Sequence, residues 1–354
     1  MELMNILERA VKEDASDIFL VVGQAVSFKL DGTIRKMDET KLMPVDTENI
    51  ITSIYDKAGR SLSHFMTTGD DDFSLSIANL GRFRCNVFRQ RGTFGAVIRV
   101  VHFELPSYKD MRIPESIMKL SELNKGLVLV TGAAGSGKST TISYIIDRIN
   151  ENRNCHILTL EDPIEFLHRH KKSIVSQREV KIDSESYSSA LRAAMRQSPD
   201  VILVGEMRDY ETIDIAMTAA ETGHLVLSTL HTIGAANTID RVIDVFPASQ
   251  QQQIRVQLAG VLEGVVTQQL LPRIEGKGRL AAYEVMIATH AIRNLIREGK
   301  TYQIPSLIQT GKKDGMQSMD DAIYELYVKG RIDEETALRH AFSFERMKQR
   351  IGRF

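Results

Sequence analysis

The sequence has few residues that would cross-link a fold and no segment suited to a lipid bilayer. Among its 354 residues are two cysteines, Cys85 and Cys155, which are far apart and form no Cys-x-x-Cys pair. Neither a disulfide framework nor a zinc site is therefore predicted. The longest apolar stretches, such as 126–130 and 201–204, are much shorter than the roughly 20 residues that span a membrane as a helix.

An excess of charge of one sign is also lacking. Lysine and arginine total 45, aspartate and glutamate total 46, and the net charge is −1. This balance argues against a protein built to coat nucleic acid or an anionic membrane, so no direct nucleic-acid partner is expected. The N-terminus carries Glu2 and Glu8 instead of the basic head and apolar core of a signal peptide, which favours a cytoplasmic location.

The length favours about two domains. Residues 1–101 are predicted to form a small α+β domain. Their apolar residues follow helical spacing over 3–12, a second helix is expected near 47–55, and strand-like runs occupy much of the rest. The predicted strands cover residues 18–22, 26–30, 72–77, 82–88 and 95–101.

A linker is predicted over residues 102–116, where Pro106 and Pro114 interrupt the pattern. The remainder, 117–354, is predicted to form an α/β domain, because apolar runs there alternate with helical segments, as in a mostly parallel sheet covered on both faces. These runs cover residues 127–131, 156–160, 201–204 and 225–230. Beyond about residue 250 the chain is expected to be largely helical.

Residues 132–139 have the sequence Gly-Ala-Ala-Gly-Ser-Gly-Lys-Ser, which matches the phosphate-loop pattern G-x-x-x-x-G-K-[ST]. Glycines let backbone N–H groups converge on phosphate oxygens, and the next helix presents its positive N-terminus to them. Lys138 is expected to reach the β- and γ-phosphates of ATP, and the Ser139 hydroxyl to bind Mg²⁺. The predicted nucleotide-binding residues are Gly132, Ala134, Gly135, Ser136, Gly137, Lys138, Ser139 and Thr140.

Two of the predicted strands lead into acidic residues. Glu206 follows the run 201–204, and Glu161 follows the run 156–160. Ligands of open parallel sheets bind beyond the carboxyl ends of the strands, so Glu206 is predicted to hold Mg²⁺ and Glu161 to orient the attacking water as general base. Acids at strand ends also cap helices or solvate loops, and for either residue alone that alternative is open.

Two histidines flank the run 225–230. His231 follows its carboxyl end, where an imidazole is expected to sense the γ-phosphate. His224 precedes the run, and a single histidine in such a place is more often structural.

Five arginines lie in a stretch of the first domain that has no acidic residue and no lysine. The planar guanidinium group suits phosphate, so one or two of them are expected to reach a nucleotide held by a neighbouring domain or subunit. A nucleic-acid patch and a solvated hairpin are the alternatives. The five are Arg82, Arg84, Arg89, Arg91 and Arg99.

With these motifs in place, the chain resembles the GspE/PilT-like secretion ATPases over nearly its whole length. The phosphate loop is followed by an acidic box at 159–166, a second acidic box at 200–209 and a histidine box at 221–231. Residues 291–298, Ala-Ile-Arg-Asn-Leu-Ile-Arg-Glu, and 315–320 resemble the branch that retracts type IV pili. The four-cysteine zinc loop common in the assembly and secretion branches is missing.

The resemblance implies a RecA-like P-loop NTPase domain, a smaller PAS-like N-terminal domain and a homohexameric ring. It implies Mg²⁺-dependent ATP hydrolysis that drives pilin depolymerisation and twitching motility. The motor would be peripheral at the inner face of the cytoplasmic membrane and would act on a PilC-like platform protein there. The implied site residues are Glu161 and Glu206 as acids, His224 and His231 as the histidine box, and Arg82, Arg84 and Arg99 at the nucleotide.

Two other functions are weighed against pilus retraction. One is a related motor for secretion or DNA uptake, against which the missing cysteines and segment 291–298 argue. The other is an accessory protein that binds ATP and regulates another pilus motor, against which the intact Glu161 and Glu206 argue. One departure from the family is that Ala133 and Ala134 replace the usual Pro-Thr of the phosphate loop, which leaves its backbone role intact.

Overall fold

The computed structural model describes residues 2–30, 32–101, 111–276 and 278–352. The chain divides into two compact units, with a boundary near residue 104 and with residues 165–167 grouped with the first unit. Most of the predicted linker 102–116, namely residues 102–110, lies outside the described residues. The boundaries of that linker therefore stay a prediction.

The first unit is an antiparallel sheet with helices packed on it. Its strands are β1 (Asp17–Leu20), β2 (Ala25–Leu30), β3 (Thr33–Lys41), β4 (Asp70–Ile77), β5 (Gly81–Gln90) and β6 (Thr93–Val101). Its helices are α1 (Leu3–Lys12), α2 (Pro44–Ala58) and α3 (Ser63–Thr68). Within the described residues the strand order is β3-β2-β1-β6-β5-β4, and each neighbouring pair is antiparallel.

The helices of the first unit bury their apolar faces in one cluster with the sheet. In α1 the buried residues are Leu3, Ile6, Leu7 and Ala10, which recur with the spacing of one helix face. The predicted helix over 3–12 is thus confirmed. Strand β3 was not predicted, because it contains no buried residue and so shows no apolar alternation.

The second unit is a larger, mostly parallel sheet with helices on both faces. Its strands are β7 (Gly126–Thr131), β8 (His156–Glu161), β9 (Ile174–Glu179), β10 (Val201–Val204), β11 (Leu225–Leu230), β12 (Leu262–Pro272) and β13 (Arg279–Ile287). The helices that precede β12 in the chain are α4 (Glu115–Met118), α5 (Lys138–Asn152), α6 (Tyr187–Ala194), α7 (Tyr210–Glu221), α8 (Ala235–Asp244) and α9 (Gln251–Val261). The later ones are α10 (His290–Arg297), α11 (Ile304–Thr310), α12 (Met319–Val328), α13 (Glu334–His340) and α14 (Phe344–Ile351).

The strand order of this sheet, within the described residues, is β13-β12-β7-β11-β10-β8-β9. Every neighbouring pair is parallel except β12 with β13. Strand β7 shows why its sequence is uniformly apolar. Leu127 and Leu129 point into one hydrophobic cluster, and Val128 and Val130 point into another on the opposite face. The predicted α/β class, with a smaller α+β unit before it, is confirmed.

The expectation that the chain is largely helical beyond residue 250 is confirmed for most of the described residues there, but it missed two strands. Strands β12 and β13 pair over nine residue positions from Gly264–Ile287 to Pro272–Arg279. Consecutive β-branched residues Val265, Val266 and Thr267 favour a strand over a helix, and glycines near the turn allow the chain to reverse. Because β12 is buried on both faces, it lacks the apolar alternation that marks a half-exposed strand.

None of the helices in the described parts of the chain combines the length and apolarity needed to cross a bilayer.

The position of two isoleucines in the parallel sheet predicts that they contribute very differently to the free energy of unfolding. Ile202 on β10 is fully buried, whereas Ile174 on the edge strand β9 is 63% exposed. Replacing Ile202 with Ala is expected to lower the free energy of unfolding by about 2–5 kcal/mol, through lost burial and a residual cavity. Ile174→Ala, the matched control, should change it by less than about 0.5 kcal/mol. Urea denaturation followed by circular dichroism measures both, and equal losses would contradict the core described here.

Candidate functional site

Four neighbouring parallel strands bring the predicted phosphate-binding and acidic residues to one edge of the sheet. In the order β7, β11, β10, β8, each strand ends at this edge. The residues found there are the loop 132–137 after β7, His231 after β11, Glu206 after β10 and Glu161 at the end of β8. The backbone register alone therefore brings these groups together.

The phosphate loop depends on two of its glycines. Gly132 has a φ of 141° and Gly137 a φ of 88°, a backbone conformation that L residues with a side chain rarely adopt. A Cβ on Gly132 would also lie 2.3 Å from the backbone oxygen of Gln268. Helix α5 begins at Lys138, directly after Gly137, so its first N–H groups and the positive end of its dipole meet the loop.

Lys138 lies folded over the loop. Its Nζ donates to the carbonyl oxygens of Gly132 (2.9 Å) and Ala133 (3.0 Å), and it lies 3.2 Å from Nδ1 of His231. These partners hold the ammonium group within the loop, where phosphate oxygens would be stronger, charged acceptors.

His231 connects the lysine to the acid that follows β10. Its Nε2 lies 3.3 Å from Oε1 of Glu206, while its Nδ1 faces Lys138. A neutral imidazole with its proton on Nε2 satisfies both contacts, accepting from the ammonium group and donating to the carboxylate. The other carboxylate oxygen of Glu206 is 2.7 Å from Arg208, and this hydrogen bond raises the pKa of Arg208. The sequence analysis gave no role to Arg208, although it lies within the second acidic box.

Glu161 is held by two polar side chains. It accepts hydrogen bonds from the hydroxyl of Thr159 at 2.7 Å and from Nε2 of Gln177 at 3.2 Å. Thr159 and Gln177 are partners in the register of β8 and β9, so the edge strand helps to fix the carboxylate. Gln177 was not identified from the sequence because strand β9 was not predicted.

Tyr187, at the start of α6, is a further residue of the site that the sequence did not reveal. Its hydroxyl lies 2.9 Å from where a Cβ on Gly205 would lie, next to the strand ends. Burial and then the nearby carboxylates of Asp162, Glu161 and Glu206 raise the pKa of Tyr187. The phenol therefore stays protonated and available as a donor. It lines a cleft of about 350 Å³ together with residues that include Asp162, Lys181, Glu206 and Arg208.

The predicted ligands of Mg²⁺ are the hydroxyl of Ser139, in the first turn of α5, and the carboxylate of Glu206, and their role stays a prediction. Groups of three or more His, Cys, Asp or Glu side chains placed to hold a metal are not found among the described residues. Mg²⁺ commonly keeps several waters and binds through one or two protein oxygens plus substrate phosphates. This sparse donor set fits an ion of that kind.

The structure does not bring His224 to this edge. It immediately precedes β11, and the six residues of that strand separate it from His231 by about 20 Å. Its Nδ1 instead faces the carbonyl oxygen of Ala219 at 2.9 Å. A catalytic role for His224 therefore stays a prediction.

The three predicted arginines lie in the first unit, on β5 and β6. Arg84 forms two hydrogen bonds with Asp72, at 2.6 and 3.2 Å. Arg99 donates to Asp17 at 3.0 Å. Acids of other strands thus supply the anionic partners that the local sequence around these arginines lacks. The predicted contact of Arg82, Arg84 and Arg99 with a nucleotide stays a prediction.

Comparison with known proteins assigns the chain to a family. Residues 1–339 match the family model described as type II/IV secretion system protein. The chain is 45% identical over 345 residues to a type IV pilus retraction ATPase, PilT, of Pseudomonas aeruginosa, covering 96% of this chain and 98% of that protein. It is 44% identical over 319 residues to a twitching motility protein of Neisseria gonorrhoeae, covering 90% and 85% of the two chains.

A solved structure gives the same result. The crystal structure of the pilus retraction motor PilT with bound ADP matches this fold with a TM-score of 0.90 and 44% sequence identity, over 99% of both chains. The chain therefore belongs to the type II/IV secretion system protein family, and it resembles the pilus retraction ATPases of that family over nearly its whole length.

Proposed function

We propose that this protein is a homohexameric, ATP-hydrolysing motor that powers retraction of type IV pili. The observation that carries the proposal is the series of contacts Lys138–His231–Glu206, which joins a glycine-rich phosphate loop to an acid on the same sheet edge. Relatives named for pilus retraction and twitching motility, and a neighbouring structure with bound ADP, support the same function.

The residues suit phosphoryl transfer by positioning and charge neutralisation. The loop backbone and Lys138 bind the β- and γ-phosphates. Glu161, fixed by Thr159 and Gln177, orients the attacking water, and Tyr187 is placed to donate a hydrogen bond nearby. Mg²⁺, when bound, neutralises phosphate charge, and Ser139 and Glu206 are the protein groups that would hold it.

His231 is suited to report the γ-phosphate. A phosphate that draws Lys138 away from the carbonyls of Gly132 and Ala133 also changes what Nδ1 of His231 faces. Because Nε2 of the same ring contacts Glu206, the change reaches the acid directly. Phosphate binding at the loop is thereby coupled to the hydrogen bonding of Glu206 in the second acidic box.

Segment 291–298, in and beside α10, is proposed to transmit the resulting motion to a PilC-like platform protein at the inner face of the cytoplasmic membrane. Arg293 donates to the carbonyls of Ala288, Ala259 and Gly260 and to the carboxylate of Glu263. Glu263 is the second residue of β12, and the same strand passes the phosphate loop farther along. A continuous strand therefore links the segment to the nucleotide site.

Two assays decide between this function and the alternatives. Steady-state phosphate release by the purified chain with ATP and Mg²⁺ is expected, and a purely accessory ATP-binding protein would show none. A deletion strain is expected to lose surface motility and to accumulate surface pili. Normal motility together with a defect in secretion or DNA uptake would instead identify a related motor.

Lys138→Ala is expected to weaken ADP and ATP binding about 10- to 100-fold, because the charged donor to the phosphates is lost. Titration with a fluorescent nucleotide measures the affinity. Lys125→Ala, which removes an exposed lysine just before β7, is the control and should bind normally. Equal affinities in the two variants would refute the assignment of Lys138.

Glu161→Gln is expected to preserve nucleotide affinity and to slow hydrolysis at least about 100-fold, because the amide keeps the size of the side chain but cannot accept a proton. Phosphate release under saturating ATP measures the rate. Glu165→Gln, at an exposed acid of the same box, serves as the matched control. Undiminished hydrolysis in Glu161→Gln would exclude it as general base.

Leu295→Ala is expected to abolish pilus retraction in cells while the purified protein stays folded and retains most ATPase activity. Leu295 is only partly buried, packed against the main cluster, so its truncation should cost less stability than loss of a core residue. His290→Ala, at an exposed position of the same helix outside segment 291–298, is the control. Normal retraction in Leu295→Ala would argue against transmission through this segment.

A further inference from the structure

Gln268 on β12 is fully buried, and its side chain makes one hydrogen bond to the part of the chain that the structure describes. Its Oε1 accepts from the hydroxyl of Thr141, on α5, at 2.7 Å. Its Nε2 is buried and has no hydrogen-bond partner among the described residues. Leaving a buried donor unpaired is unfavourable, and such an atom in a native fold calls for an explanation.

The unpaired amide faces the phosphate loop. Nε2 lies 2.8 Å from where a Cβ on Gly137 would lie. The backbone oxygen of Gln268 lies 2.3 Å from the equivalent point on Gly132. One residue of β12 therefore approaches both the first and the last glycine of the loop.

A second polar atom without a partner lies in the same place. Oγ of Ser136, in the loop itself, is buried and has no hydrogen-bond partner among the described residues. It lies 2.7 Å from where a Cβ on Gly132 would lie. The polar atoms left unsatisfied here thus belong to the loop and to the residue that supports it.

We propose that Gln268 is a positioning residue of the nucleotide site that supports the phosphate loop through the polarity of its amide. The carbonyl end is anchored by Thr141, so the positively polarised N–H₂ end is fixed toward the loop. That orientation favours negative charge on the loop's other side, in addition to the effect of the α5 N-terminus. The inference rests on the proposed binding of a nucleotide at this loop.

The test compares Gln268→Glu with Gln269→Glu. The first keeps the shape of the side chain and replaces the N–H₂ group with an oxygen. The second adds the same carboxyl one residue along the strand, where alternation points it to the other face and where Gln269 is only partly buried. Affinity for ADP is measured for both variants and for the unmodified protein, between about pH 5.5 and about pH 8.5.

The expected result is a pH-dependent loss in Gln268→Glu alone. Burial raises the pKa of the introduced carboxyl. Below that pKa the group is a neutral acid that resembles the amide, and affinity should approach that of the unmodified protein. Above it the anion repels the phosphates, and ADP should bind about tenfold or more weakly. Dividing by the unmodified protein's affinity at each pH removes the titration of the nucleotide itself.

Unchanged ADP affinity of Gln268→Glu at high pH would overturn the inference. So would a loss in Gln268→Glu that is the same at every pH, because the charge of the introduced carboxyl would then have no effect. The variant Gln268→Met keeps the volume of the side chain and removes its polarity. Failure of the unmodified protein and of Gln269→Glu to bind ADP would instead overturn the proposed nucleotide function, and this inference with it.

Thermal melting without nucleotide checks the fold of each variant. If Gln268→Glu does not fold, Gln268→Met decides the matter. It is expected to melt within a few degrees of the unmodified protein and to bind ADP several-fold more weakly. Normal ADP affinity in a folded Gln268→Met would overturn the inference.

Discussion

The constraint on which the second unit depends is the burial of both faces of its parallel sheet. Strands such as β7 and β10 have no exposed residue, so they offer no polar side chain to a ligand along their length. Chemistry is possible only where the strands stop. Because β7, β11, β10 and β8 run in the same direction, a lysine, a histidine and two carboxylates that are distant in sequence meet at one sheet edge.

At that edge, four side chains contact one another in series. Lys138 contacts His231, His231 contacts Glu206, and Glu206 contacts Arg208. Each neighbour therefore has a partner of complementary charge or hydrogen-bonding capacity, and a change at one end alters the partner of the next. At the same edge, Glu161 accepts hydrogen bonds from the hydroxyl of Thr159 and the amide of Gln177.

The sequence predicted the parts of the fold that carry a strong local pattern. Phosphate-loop glycines and the apolar runs at 127–131, 156–160, 201–204 and 225–230 were each visible without a structure. By contrast, β3 has no buried residue, and β12 is buried on both faces. Neither shows the alternation that marks a strand, so both were missed. Gln177 and Gln268 could not be found from the sequence either, because their positions in the site depend on pairing between strands that are separated in sequence.

The ion pair between Arg99 and Asp17 opposes movement of the Arg99 side chain toward another anion. Asp17 is nearly buried, at 7% exposure, whereas the side chain of Arg99 is 67% exposed. An anion that attracts Arg99 from solvent would leave behind a carboxylate with little access to water, held by the hydroxyl of Ser16. The unpaired carboxylate of Asp17 would attract the guanidinium of Arg99 again once the anion dissociates. The burial of Asp17 thus favours the contact with Arg99 over separation of the two charges.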